Sequence, residues 1–324
     1  MARSEFAIVG AGALGSILAA HLVRSGHSVA LLARGQRAQQ VREQGLRIKG
    51  VSEFSTPVEV LTDPAQLRET GALIIATKTP GSEQTLASLS HVKVDRALSV
   101  QNGVMKDDLL AQTYGRERTL GSLADTSGEL LASGEVLFTR NVNLFVGELD
   151  GTMSDTARAI VKAIDDAGVR ATLMPDIVSR EWSKFVGWVG FVSLSLTTRA
   201  ITWRFLSDPD AALLIVRLTR ELASLAKALG IQLTEDRAIL PLGTVLDGTE
   251  AQAVAAVQKA GADYQTKAPE HRMSALQDLQ AGRALEIHET LGYALRKAQE
   301  LNLSLPLLAS FYSLVSAIDR TRDR

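Results

Sequence analysis

The sequence predicts a protein in two parts, an α/β half followed by an all-α half, and three observations carry that reading. An apolar strand runs directly into a glycine turn and a helix between Phe6 and Ser16. Short aliphatic runs then alternate with helical stretches to about residue 173, the pattern of a parallel sheet with helices on both faces. After Pro175 the periodicity becomes almost wholly helical. The domain boundary is therefore drawn after Met174, giving 1–174 and 175–324. At 324 residues the chain is long for a single core and fits two domains.

Within the first element, Gly10, Gly12 and Gly15 stand at the spacing G-x-G-x-x-G, with Ala11, Ala13 and Leu14 between them. The first glycine permits a tight turn, the second lets backbone approach a pyrophosphate, and the third lets helix pack on strand. The helix N-terminus is then aimed at the anion. A second strand, Ser28–Ala33, follows the helix Ala13–Ser25 and ends at Arg34, about 20 residues past the turn. This context predicts a Rossmann-type dinucleotide-binding domain. A carboxylate at the end of that second strand would accept the ribose 2′-hydroxyl of NAD and repel a 2′-phosphate. Here Ala33-Arg34-Gly35-Gln36-Arg37 offers two guanidinium groups instead, which suit phosphate. The expected cofactor is NADP(H). A secretory signal peptide fits this segment poorly, because Glu5 precedes the apolar stretch and a second strand follows.

The remaining strands of the sheet are Ala72–Ala76 and Ala97–Val100, while Leu46–Lys49 and Val58–Leu61 look like a small antiparallel insertion beside Pro57. Thr119–Ala124, Gly134–Thr139 and Asn143–Gly147 read as antiparallel strands, followed by a helix over Ser154–Ala167 and a strand over Val169–Leu173. In the second half, Arg217–Leu229, Ala251–Ala260, Leu285–Leu301 and Leu307–Ile318 carry apolar residues at three- and four-residue intervals.

Composition excludes several classes. The 35 basic and 36 acidic residues nearly cancel, so no nucleic-acid or anionic-membrane surface is expected. With no cysteine there is no disulfide, thiolate metal site or cysteine nucleophile. The five histidines form no metal-ligand spacing, so no metal is expected. The apolar run Phe185–Leu196 falls short of the roughly 20 residues of a membrane helix, and a cytoplasmic protein is expected.

Candidate reacting groups lie in loops after strands and on the helical half. Lys78 follows the third strand and suits a phosphate or the nicotinamide ribose. Asn102, in Gln101-Asn102-Gly103, either hydrogen-bonds cofactor or substrate or belongs to a plain Asn-Gly turn. Lys184, before the apolar Phe185-Val186-Gly187-Trp188-Val189, is either a snorkelling surface group or a partly buried ammonium. The second state has the lowered pKa that suits a proton donor beside a carbonyl. Late in the chain, Ser274 and Glu286 fall on what read as successive helices, with Glu289 sharing the face of Glu286.

Together these segments resemble the ketopantoate reductase family, the NADPH-dependent 2-dehydropantoate 2-reductases. The resemblance rests on Gly10 to Gly15 with Arg34, the Lys78 loop, Gln101-Asn102-Gly103, Gly147-Glu148, the Trp182-Ser183-Lys184 helix and Ser274 to Glu286. It implies that Lys184 is the general acid, that Glu286 binds or orients substrate, that Ser274 contacts the substrate carboxylate, and that Asn102 lies beside nicotinamide and substrate. It also implies a small 2-oxo acid substrate and a monomer or homodimer. One turn after the catalytic lysine, ketopantoate-reducing members typically carry a substrate-binding asparagine, and this chain has Trp188. The Asn-Pro-like continuation is also replaced, by Ser193-Leu194-Ser195-Leu196-Thr197-Thr198-Arg199. Substrate identity therefore stays open, as do a 3-hydroxyacid-type dehydrogenase, a reductive aminase and a non-catalytic NADP(H)-binding regulator.

Overall fold

The computed structural model describes residues 3–236 and 238–322. Its N-terminal elements are β1 (Ser4–Val9), α1 (Ala13–Arg24), β2 (Val29–Leu32), α2 (Gly35–Gln44), β3 (Leu46–Gly50), β4 (Phe54–Thr56), β5 (Glu59–Leu61), β6 (Glu69–Ile75) and α3 (Ser82–Leu89). They continue through β7 (Lys93–Ser99), α4 (Met105–Tyr114), β8 (Thr119–Leu130), β9 (Val136–Glu148), α5 (Asp155–Asp166) and β10 (Ala171–Leu173). The helical part comprises α6 (Ile177–Thr198), α7 (Thr202–Ser207), α8 (Pro209–Ala228), α9 (Leu242–Asp247), α10 (Glu250–Lys267), α11 (Ser274–Gln280), α12 (Leu291–Glu300) and α13 (Pro306–Thr321). The chain divides into two compact units, Met1–Asn102 with Lys106–Val178, and Gly103–Met105 with Ser179–Arg324.

In the first unit the strands form one sheet in the order β4-β3-β9-β8-β7-β6-β1-β2-β5, with β10 added to β9. From β5 through β2, β1, β6 and β7 to β8 every neighbouring pair is parallel. Both faces are covered. Phe6 and Ile8 of β1 join one apolar cluster with Ile17 and Leu18 of α1, whereas Ala7 and Val9 join a second with Leu86 and Leu89 of α3. Successive side chains point to opposite faces, which is why these strands read as continuous apolar runs.

The small antiparallel insertion takes a different form. Leu46 to Ile48 pair antiparallel with Phe54 to Thr56, not with Val58–Leu61, and β5 instead pairs parallel with β2 at the opposite edge. Pro57 separates the two strands at a point where the chain changes sheet edge. From Val136 onward the two runs expected over Gly134–Thr139 and Asn143–Gly147 form a single strand, β9, which pairs with β8 through two register shifts. Those shifts fall at Asp125/Thr126 and Ser127/Gly128, bulges that break the alternation the sequence shows.

The second unit is helical. Residues 180–196 of α6 are buried at every position but Lys184. Its glycines allow close packing: a Cβ at Gly187 would lie 3.0 Å from Ile239, and one at Gly190 3.3 Å from Ile215 of α8. Among the described residues no helix is long and apolar enough to cross a membrane. The segment Leu285–Thr290 is not helical; α12 begins only at Leu291, so the periodicity over Leu285–Leu301 starts that helix six residues too early.

Candidate active site

Because β7, β6, β1 and β2 are adjacent and parallel, the segments that follow them emerge at the same end of the sheet, past the carboxyl ends of these strands. That end carries the glycine turn, Arg34, Lys78 and Asn102. The chain leaves β1 to pair on one side with β2 and on the other with β6, a topological switch point of the kind where dinucleotides bind.

The glycine turn fits its expected use. Gly10 has φ +107°, and a Cβ there would meet the Thr77 backbone nitrogen at 2.9 Å. A Cβ at Gly15 would lie 2.0 Å from the Gly10 carbonyl oxygen, so helix and strand approach as closely as only glycine allows. Gly12 is the residue before α1, and a Cβ there meets nothing nearer than the Ala76 oxygen at 4.0 Å. The helix has no side-chain cap and no acidic residue in its first turn. Its leading N–H groups and the open space above Gly12 suit a pyrophosphate.

Arg34 is exposed immediately before α2, in extended conformation, and makes no side-chain hydrogen bond or ion pair among the described residues. It fits a 2′-phosphate. Arg37 does not share this role. Its Nε donates to the Ala11 carbonyl at 3.0 Å, Nη2 to Ser16 Oγ at 3.1 Å, and Nη1 to Gln40 Oε1 at 2.9 Å and the Gly134 carbonyl at 2.8 Å. A guanidinium engaged with four protein acceptors is a structural tie, and spacing alone does not distinguish it from its neighbour.

Lys78 is exposed on the loop after β6. The loop is held by Gln101, to which sequence reasoning gave no role. The Gln101 Nε2 lies 3.1 Å from the Lys78 carbonyl, 2.8 Å from Ser82 Oγ and 3.2 Å from Thr77 Oγ1, and its Oε1 accepts from Ser99 Oγ at 2.9 Å. An amide just past a strand end, with hydroxyls at Ser99, Thr77 and Ser82, was the available signal. Asn102 is partly exposed and makes no side-chain hydrogen bond among the described residues, while Gly103 supplies the positive φ of the turn at +81°. The turn reading of Asn-Gly thus holds at Gly103.

In the second unit, Lys184 and Trp188 are one turn apart on α6, and Trp188 is 9 % exposed. Trp182 packs edge-on against Phe185, with ring centroids 5.6 Å apart. Ser193 is buried with no hydrogen bond to its hydroxyl among the described residues. Ser274 is the first residue of α11. Glu286 and Glu289 do not share a helical face: Glu286 sits at a bend and Glu289 in a turn before α12. Burial raises the Glu289 carboxyl above its ordinary value, with Glu286 adding to the rise and His288 and Arg296 opposing it. Its Oε2 has no hydrogen-bond partner among the described residues. His288 instead contacts the Tyr312 hydroxyl at 2.8 Å. Arg199 ends α6 in the left-handed region at φ +54°, exposed, which makes it a helix terminus of the kind usually given to glycine.

A dinucleotide-binding sheet followed by a helical unit defines a two-part oxidoreductase. The profile of ketopantoate reductase PanE/ApbA matches residues 6–151 and that of its C-terminal domain matches residues 176–319. The chain belongs to the ketopantoate reductase family. It is 26% identical over 312 residues to the 2-dehydropantoate 2-reductase of Archaeoglobus fulgidus, covering 96% of this chain and 97% of that one. In fold it is similar to a PanE/ApbA family ketopantoate reductase from Ralstonia eutropha JMP134, with TM-score 0.82 and 21% identity over 97% of this chain and 98% of that one. It is similar also to D-mandelate dehydrogenase solved with NADH and anilino(oxo)acetate, with TM-score 0.81 and 18% identity over 98% of each chain. The protein is an NADP-dependent oxidoreductase, a reductase of 2-oxo acids at the level of the family.

Proposed function

We propose that this chain reduces a 2-oxo acid whose group beyond the carbonyl is apolar or aromatic, with Lys184 as the proton donor. When bound, NADPH supplies the hydride that the carbonyl carbon receives. The carrying observation is the burial along α6, where Lys184 alone between 180 and 196 is not buried. A surface lysine stands on a helix with a wet face; this one interrupts a stretch of helix that is buried on every side. An ammonium in such low-dielectric surroundings acts strongly on the negative charge that develops at a carbonyl oxygen, and it holds the proton that oxygen requires.

The other roles follow the chemistry of the groups. Gly10 to Gly15 hold the pyrophosphate, Arg34 the 2′-phosphate, and Lys78 the phosphate or ribose side of the cofactor. Asn102 has a side-chain amide open to orient nicotinamide and substrate. Ser274 meets the substrate carboxylate, and Glu286 orients its far end.

Trp188 stands where ketopantoate-reducing relatives carry an asparagine, and an indole has neither the amide's acceptor nor its paired donors. Burying an aromatic group against it is favourable by about 25 cal/mol per Å². A ketopantoate hydroxyl left without a partner there costs about 1–3 kcal/mol. D-mandelate dehydrogenase, of the same fold, was solved with the aryl compound anilino(oxo)acetate, which supports an aromatic substrate. The test is kcat/KM for ketopantoate against phenylglyoxylate, in the unmodified chain and in Trp188→Asn. The aromatic acid should be preferred and the preference should fall in the variant. Efficient ketopantoate turnover, unimproved in Trp188→Asn, refutes the specificity reading.

A further inference from the structure

Two of the four hydrogen bonds of Arg37 reach the glycine-turn segment assigned to the dinucleotide, at Ala11 and Ser16. Its Nε fixes the Ala11 carbonyl at 3.0 Å, and the same oxygen accepts from Ser16 Oγ at 3.1 Å. Ser16 Oγ in turn accepts from Arg37 Nη2 at 3.1 Å, closing a ring of guanidinium, carbonyl and hydroxyl. A trans peptide is planar, with its C=O and N–H pointing in opposite directions. A carbonyl of Ala11 held toward Arg37 therefore aims the N–H of Gly12 the other way, out of the loop. Gly12 is the residue above which the cradle is open. The other end of the fork anchors this arrangement: Nη1 donates to Gly134 in the β8–β9 turn at 2.8 Å and to Gln40 of α2 at 2.9 Å. Gln40 itself donates to the Ser133 carbonyl at 3.0 Å.

We propose that Arg37 is a positioning residue for the cofactor, aiming the Gly12 N–H and thereby setting affinity for the pyrophosphate that NADPH and NADH share, while Arg34 alone reads the 2′-phosphate. The inference rests on the assignment of the glycine turn to a dinucleotide. Only a planar fork spans these four acceptors, and a lysine keeps the charge but not the geometry.

The test is the Kd of NADPH and of NADH for the full-length chain, measured by calorimetry alongside Tm, in Arg34→Gln, Arg37→Lys and Ser16→Ala. Arg37→Lys should raise both Kd values by the same factor, about tenfold, as expected for lost charged hydrogen bonds. Arg34→Gln should raise that of NADPH alone. If Arg37→Lys does not fold, Ser16→Ala opens the same ring more gently and should raise both values together by roughly two- to fivefold. A rise for NADPH alone in Arg37→Lys would make Arg37 a second 2′-phosphate ligand and overturn the proposal. So would a fall in Tm with both Kd values unchanged. Failure of the underlying cofactor assignment reads differently, because the unmodified chain would then bind neither nucleotide.

Discussion

The side-chain amide of Gln101 donates to the backbone carbonyl of Lys78 at 3.1 Å, tying the loop after β7 to the loop after β6. The same amide reaches Ser82 at the start of α3 and accepts from Ser99 at the end of β7. Four local partners leave Gln101 little freedom, and the Lys78 loop inherits that order. Gln101→Ala removes all of them and should lower kcat/KM with NADPH about tenfold, from a net of roughly 0.5–1.5 kcal/mol per hydrogen bond. Steady-state kinetics at varied NADPH checks this. Unchanged kinetics would mean that the loop is held by other contacts.

Arg34 is the exposed cation at the end of the second strand, and no acid stands beside it in the first turn of α2. Arg34→Glu should weaken NADPH binding by about 1.5–3 kcal/mol, the range for a hydrogen bond to a charged group, and leave NADH nearly unaffected. Exposure makes the effect sensitive to salt, so the NADPH preference of the unmodified chain should shrink as ionic strength rises. Equal binding of both nucleotides before mutation would contradict the assignment.

His21 carries the clearest pH dependence. Burial pushes its imidazole below its ordinary value, with Arg24 adding to the fall and the Ala167 carbonyl opposing it. The neutral Nδ1–H tautomer donates to that carbonyl at 2.8 Å and leaves Nε2 to accept from Ser52 Oγ at 3.0 Å. Since the folded pKa lies below the unfolded value of about 6.5, unfolding takes up a proton in mild acid. The stability contribution is complete above that unfolded value and is lost as pH falls from it toward the lower folded pKa. Urea unfolding from pH 8 to pH 5 should show a decline that His21→Gln flattens. Parallel curves for the two proteins would assign the decline to other groups.

Much of the first unit was legible because both faces of its central strands are buried. Phe6–Val9 and Ala72–Ile75 show as aliphatic runs, and the glycine turn between them has a spacing that only a tight strand-to-helix approach explains. Strand pairing was less legible. Leu46–Lys49 and Val58–Leu61 are close in sequence but lie at opposite edges of the sheet, and local pattern carries no information about which edge a short strand joins. Arg34 and Arg37 show the same limit at the site. They are three residues apart and chemically identical, and only the tertiary positions of Ala11, Ser16 and Gly134 separate the exposed one from the tied one. Glu286 and Glu289 were misplaced for another reason: buried Ile287 falls four residues before buried Leu291 and continues the stripe of Ala294 and Ala298 backward into a segment that turns before α12.

The central claim is that Lys184 delivers a proton to a 2-oxo acid reduced by NADPH, and the direct measurement is NADPH oxidation over a panel of 2-oxo acids by the unmodified chain and by Lys184→Ala. The unmodified chain should turn over at least one of them. In Lys184→Ala kcat should fall by roughly 10²–10⁴-fold, the usual contribution of general acid catalysis, with NADPH affinity held within about twofold. Near-normal turnover in the variant would move the proton donor elsewhere, and no oxidation with any 2-oxo acid by the unmodified chain would contradict the reaction itself.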